Sequence, residues 1–214
     1  SGASDTLKKQ AGEFTEIAAS YGFKTDKRDR AFMPTSGYVS TFNQKLPIFA
    51  DKKSIANTVS LSSYKLLTED VVTASKFYLS AINGIADEDV RLNERRFLNS
   101  KRLRGFEKGK VGPVDGTDHV GGNYAAAINF EANFPNLLPD SSRAEVGTFI
   151  DIANVWGVDY NSALDESSKI RSSVGVAANW YTPIGPLNFS FAHPITKVTT
   201  DKTEGFRFNL GTTF

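Results

Sequence analysis

From about residue 13 to the end of the chain, apolar and polar side chains alternate with period two in segment after segment, a pattern that few architectures accept. In FRFNLGTTF (206 to 214), Phe206, Phe208, Leu210 and Phe214 share one parity, while Arg207, Asn209, Gly211 and Thr213 share the other. Successive side chains of a strand point to opposite faces, so such a segment has an oily side and a wet side. Helical spacing is scarce outside the first dozen residues. The alternation predicts nine strands, at 13–25, 37–49, 54–67, 70–83, 123–134, 143–156, 168–182, 185–197 and 204–214. Pro34-Thr35-Ser36-Gly37, Asp51-Lys52-Lys53, Pro139-Asp140-Ser141-Ser142 and Pro183-Ile184-Gly185-Pro186 supply the turn chemistry between them. Strands joined by short links pair as antiparallel hairpins, so the expected class is all-β and antiparallel.

The oily face meets either a protein core or lipid, and alternation alone predicts both. An aromatic-cored soluble sandwich, or a soluble barrel holding a small ligand, is the first possibility. The second is a transmembrane β-barrel. Several segments exceed the roughly five or six residues usual in soluble sheets. The opposite face carries Glu16, Lys45, Glu131, Asp151 and Arg171, which suits a wet interior with a greasy exterior. Tyr38, Phe134, Trp156, Trp180, Tyr181 and Phe214 fall near strand ends, where interfacial girdles form. No apolar run is long enough for a membrane helix, but a spanning strand needs only about 9 to 11 residues.

Composition removes several function classes. Lys plus Arg total 25 against 24 Asp plus Glu, so no charge excess argues for a nucleic-acid partner. Cysteine is absent and only His119 and His193 are present, so neither a metal site nor a cofactor is expected. The acidic groups Asp87-Glu88-Asp89 and Asp165-Glu166 lie in polar turns and read as solvated loop charges rather than acid and base. No catalytic residue, and no enzyme activity, is expected. No charged start followed by an apolar stretch and a small-residue cleavage site is seen, Ser1-Gly2-Ala3-Ser4 reads as an arbitrary beginning, and a signal peptide, if there is one, lies upstream.

Residues 84 to 122 break the rhythm with five arginines (Arg91, Arg95, Arg96, Arg102 and Arg104) and little strand pattern. Loops beyond about 12 to 15 residues are usually functional or disordered. Gly105 permits an unusual backbone, and its neighbours Arg104 and Phe106 can carry a charge and a ring into a confined space. A guanidinium inside a barrel needs carboxylates, because it stays charged and an unpaired buried charge is costly. Glu131 has the inward parity of its strand, opposite Tyr124, Ala126, Ile128, Phe130 and Phe134. Asp151 is inward beside Ile150 and Ile152, so both carboxylates can reach one arginine fork. The plainer reading is that these are ordinary solvated lumen charges.

The segment RLRGFEKGKVGP (102 to 113), followed by Gly121-Gly122-Asn123, resembles the inward-folding loop with its Arg-Gly-Phe motif in the BamA family of outer-membrane assembly barrels, part of the bacterial surface antigen superfamily. INFEANFP (128 to 135), FIDIANVW (149 to 156), ANWYTPIGPLNFSFAHP (178 to 194) and FRFNLGTTF (206 to 214) resemble successive strands of that family, in the same order. TDKRDRAFMPTSGY (25 to 38) is similar to its basic, acidic and aromatic turn before a Pro-Thr-Ser-Gly-like sequence. The match runs from roughly residue 12 to 214; Leu103 stands where the family commonly has a small apolar residue.

The resemblance implies that residues 1–214 form part of a sixteen-stranded barrel in the bacterial outer membrane, its C-terminal half, without the family's periplasmic POTRA domains or N-terminal barrel strands. An open or strongly curved sheet is then expected, and pairing of 13–25 with 204–214 would contradict it. By the same resemblance, Arg104 anchors the loop against Glu131 and Asp151, with Gly105 and Phe106 shaping and packing the tip. The last strand (Phe206, Phe208, Leu210, Gly211, Phe214) serves as assembly signal and as one side of a lateral seam. Gly205 and Gly211 can loosen that seam; the alternative for Gly211 is that it accommodates a lumen neighbour. The implied partners are unfolded outer-membrane client proteins, accessory assembly lipoproteins and outer-membrane lipid. A TamA-like or two-partner secretion barrel is the alternative within the same class of fold.

Overall fold

The computed structural model describes Lys8, residues 12–183 and residues 185–210. Nine antiparallel strands form one sheet: β1 (Glu16–Asp26), β2 (Gly37–Ala50), β3 (Ser54–Thr68), β4 (Val71–Gly84), β7 (Tyr124–Phe134), β8 (Ala144–Trp156), β9 (Arg171–Thr182), β10 (Gly185–Thr196) and β11 (Phe206–Leu210). The two-residue strands β5 (Val114–Asp115) and β6 (Asp118–His119) make a separate small hairpin inside the long loop. Strand order follows the chain throughout, so each strand pairs with its sequence neighbours and the long loop is the one insertion between adjacent strands of the sheet. Among the described residues β1 and β11 do not pair, and the sheet is an open trough. Most strands are 11 to 15 residues long, enough to cross a hydrocarbon layer.

Direct cross-strand pairs fix which side chains share a face. Phe23 opposes Phe42, Phe42 opposes Val59 and Val59 opposes Leu79; Phe77 opposes Ile128 and Ile128 opposes Ile152. This convex face is left open: Phe23 is 69% exposed, Phe130 50% and Phe191 57%. Monomeric soluble proteins rarely expose a continuous apolar belt of this extent. The other face holds Lys24, Thr41, Ser60, Tyr78, Glu131 and Asp151. Apolar outside and polar inside is the pattern of a transmembrane barrel wall, not of a sandwich with an oily centre. Tyr124 stacks on Trp156 at one rim, with ring centroids 5.7 Å apart, while Tyr38 and Trp180 stand exposed towards the other.

The links at the two rims differ. Segments 51–53, 85–123, 157–170 and 197–205 lie at one end, which carries the two longest links, and 27–36, 69–70 and 135–143 at the opposite end. Long loops mark the extracellular side and short turns the periplasmic side of outer-membrane barrels, which defines an outer and an inner rim. The inner-rim turn 27–36 is well built. Asp29 accepts from the N–H groups of Thr35 and Ser36 and from the Thr35 hydroxyl, and the turn curls into the trough, bringing Phe32 within 5.1 Å of the Tyr181 ring.

Candidate functional site: an arginine latch inside the barrel wall

The loop 85–123 folds back into the trough through a narrow neck. Arg96 and Gly122 exchange both backbone hydrogen bonds. Gly122 is required there, because a Cβ would sit 2.2 Å from the Trp156 carbonyl oxygen. Beside the neck, fully buried Arg95 donates to Asp159, to the Val90 carbonyl and to Asn123. Burial alone pushes the Asp159 carboxyl up, yet the Val90 N–H, the Asn123 amide and Arg95 together hold it below its ordinary value.

From the neck the chain descends to Arg104. Its Nε and Nη2 donate to the two oxygens of Asp151 at 2.8 and 2.7 Å, and its backbone N–H donates to Asp151 Oδ2 at 2.9 Å. Nη2 also lies 3.0 Å from Glu131 Oε1. The guanidinium sits 3.5 Å over the Phe149 ring, a desolvated cation–π contact. Strand pairing explains the convergence, since Asn129 opposes Asp151 and Glu131 opposes Phe149 on neighbouring strands. Gly175 of β9 leaves room for this inward ring; a Cβ there would come within 2.6 Å of Phe149.

The rest of the cluster balances the charge. Lys76 of β4 donates to Glu131 Oε2 at 2.8 Å, so two cations meet two carboxylates. Asn129 bonds both Asp151 and the Arg102 carbonyl, tying the wall to the loop backbone. Every acid in the cluster is matched by a cation, which suits a latch rather than proton transfer; stripping a buried pair of one partner costs about 3–5 kcal/mol.

Gly105 follows with φ +88°, a conformation that favours glycine, and a Cβ there would press on Ala192 at 3.1 Å. Phe106 is buried with Leu98, Leu103 and Val111 against Ala125, Ala127, Ala153 and Val155. The lumen is therefore dry where the loop lies: the inward positions of β7 and β8 there are small and apolar, which makes space for the loop's larger side chains.

The structure thus brings Arg104, Gly105, Phe106, Glu131 and Asp151 into one constellation. Phe206, Phe208 and Leu210 form the outward face of β11, where Phe208 lies 5.2 Å from Phe189 and Phe206 lies 4.8 Å from Phe191. Gly205 accepts a hydrogen bond from the Ala192 N–H at the start of that pairing, while Gly211 and Phe214 lie outside the described residues. Sequence reasoning did not single out Lys76, Asn129 or Phe149; the inward parity of Phe149 beside Asp151 was the available signal. Glu166 differs from its reading as a solvated loop charge, because it is an ion-pair partner of the buried Arg171. Among the described residues no group of His, Cys, Asp or Glu has the spacing to hold a metal ion.

Comparison with known proteins gives this geometry a lineage. The chain is 27% identical to outer membrane protein assembly factor BamA of Neorickettsia risticii over 99% of its length and 29% of that protein's. It is 27% identical to BamA of Neisseria meningitidis serogroup B over 90% of the chain and 28% of that relative. The chain therefore spans less than a third of these curated relatives. The crystal structure of BamA from Haemophilus ducreyi lacking POTRA domains 1–3 superposes with a TM-score of 0.83 at 26% identity, covering 89% of this chain and 41% of that one. The model of the Omp85 superfamily domain matches residues 2–214, and with nearly every residue inside that match the chain belongs to the Omp85 superfamily.

Proposed function

We propose that this chain is the C-terminal barrel portion of an outer-membrane protein assembly factor of the BamA type. It resides in the bacterial outer membrane and helps client β-barrels fold and insert there, without catalytic chemistry. The observation that carries this reading is the Arg104 fork on Asp151 and Glu131, which holds an inward-folded loop against the wall of a lipid-facing sheet. The names of the relatives, assembly factors of the outer membrane, point the same way.

In this reading the N-terminal barrel strands and the POTRA domains belong to the rest of the protein. Arg104, Glu131 and Asp151 anchor the loop, and Gly105 and Phe106 shape its tip. Among the described residues β11 pairs with β10, and we place one side of a lateral seam at its other edge. Client strands join there, beside an outward row of Phe206, Phe208 and Leu210 that remains in lipid; Gly211 and Phe214, outside the described residues, belong to the proposed assembly signal. Unfolded outer-membrane proteins are the clients, and accessory lipoproteins assist.

The test is Arg104→Glu in the full-length protein, scored by the folding of a client barrel. Loss of assembly with normal levels of membrane-inserted protein is expected. Full assembly with Arg104, Glu131 and Asp151 each changed to alanine would reject the anchoring role.

A further inference from the structure

The Arg-Gly-Phe tip does not touch the wall alone. Its backbone pairs with 197–205, the connector that leads into β11. Glu204 N–H donates to the Gly105 carbonyl at 3.0 Å, Glu107 N–H to the Lys202 carbonyl at 2.9 Å, and Lys202 N–H to the Lys110 carbonyl at 3.1 Å. Phe106 and Thr203 form an isolated antiparallel bridge between these bonds. The tip is thus a short strand partner for the segment feeding the last strand of the sheet.

A second buried arginine holds that connector in place. Arg171, at the first position of β9, is fully buried. Its Nε and one Nη2 proton reach both oxygens of Asp201 at 3.0 Å, and its Nη1 donates to Asn154 Oδ1 at 2.7 Å and to the Lys169 carbonyl at 2.8 Å. The remaining Nη2 proton goes to Glu166. All five guanidinium donors are used. Asp201 is itself buried and accepts the Val198 N–H at 2.7 Å, which closes the connector into a tight turn. Nothing in the Arg104 cluster requires Arg171; the two arginines share no carboxylate.

We infer that Arg171 is a positioning residue that, through Asp201, sets the connector 197–205 as the docking strand for the Arg-Gly-Phe tip, so that loop docking and the entry to β11 are coupled. Arg104 fixes the tip to β7 and β8, Arg171 fixes the connector to β8 and β9, and three backbone hydrogen bonds join the two fixed bodies. Release of either arginine loosens the tip–connector pairing without breaking the strands behind it. The consequence for client assembly rests on the function proposed above; the coupling itself does not.

Amide hydrogen exchange on the full-length protein in lipid tests the coupling apart from activity. Arg171→Ala is expected to speed exchange at Glu107, Lys202 and Glu204 about tenfold or more, while Asn129 and Asp151 in β7 and β8 keep their rates. Arg171→Lys retains a charge but not the fork, and should fall between the two. Asp201→Asn keeps the side-chain shape and should accelerate the same three amides, which serves if the alanine variant does not fold. Unchanged exchange at those amides in Arg171→Ala or Asp201→Asn would overturn the coupling. Accelerated exchange with undiminished client assembly would leave the coupling standing and count against the proposed role of the docked tip.

Discussion

The two halves of the trough are built on the same strand pattern but treat their inner faces in opposite ways. Under β1 to β3, away from the outer rim where Lys45 and Ser54 reach Glu94 of the loop, the inward positions are Ser20, Gly22 and Lys24, then Thr41 and Asn43, then Thr58, Ser60 and Ser62. These groups bond each other across strands, as Thr41 does with Ser60 at 2.6 Å, and they border open space. Under β7 and β8 the inward positions are Ala125, Ala127, Ala153 and Val155, with Asn129, Glu131 and Asp151 one step further along. There the loop fills the lumen with Leu103 and Phe106 and closes on a charged latch. One wall is generic hydrophilic lining; the other is a shaped socket. The outward faces of the two halves look alike, because lipid asks of both only that they be apolar.

This contrast predicts unequal tolerance to substitution. The largest effect is expected from Arg104→Glu, which sets a third carboxylate against Asp151 and Glu131. Undocking by upward of about 3–5 kcal/mol should appear as protease cleavage within 97–110 on intact protein in membranes. Phe106→Ala should follow, weakening docking by about 3 kcal/mol through the cavity left between Leu103 and the small residues of β7 and β8. Partial protease sensitivity with an intact latch is the expected reading, and complete protection would show that the ring contributes little.

A smaller effect is expected from acid at the neck. The Asp159 carboxyl is held below its ordinary value, so the stability it lends is full above the unfolded value of 3.8 and fades as pH falls through the lower folded value. Exchange at the Val90 amide, which donates to Asp159, should rise only below about pH 4. A rise near pH 6 would point to another group. Least of all should come from Ser60→Ala on the open wall, within about 0.5 kcal/mol by denaturant titration. A large loss there would erase the distinction between the two halves.

The strands were legible because lipid outside and a polar interior force period two over long runs, and observed ends fall within about three residues of most expected ones. Parity also set Glu131 and Asp151 on the inward face. It did not reveal Phe149 as the surface under the Arg104 guanidinium, because a lumen aromatic breaks the greasy-outside rule and is admitted only by Gly175 across the strand pair. Lys76 was hidden because its partner Glu131 is 55 residues away in sequence, on the far side of the long loop. Arg171 was legible as an inward charge, but its partner Asp201 sits in a connector without strand pattern, where parity assigns no direction. The inward curl of turn 27–36 likewise depends on the curvature of the whole trough, which brings Phe32 to Tyr181.

Cysteine labelling along β7 in native membranes tests the account most directly, because neighbouring positions there are assigned to two different surroundings. Ile128→Cys and Phe130→Cys should react with a lipid-soluble maleimide and resist a water-soluble one. Ala127→Cys should resist both until Arg104 is also replaced by Glu, when the water-soluble reagent should reach it. Water-soluble labelling at Phe130, or at Ala127 with Arg104 intact, would contradict a lipid-facing wall with a loop latched against its inner side.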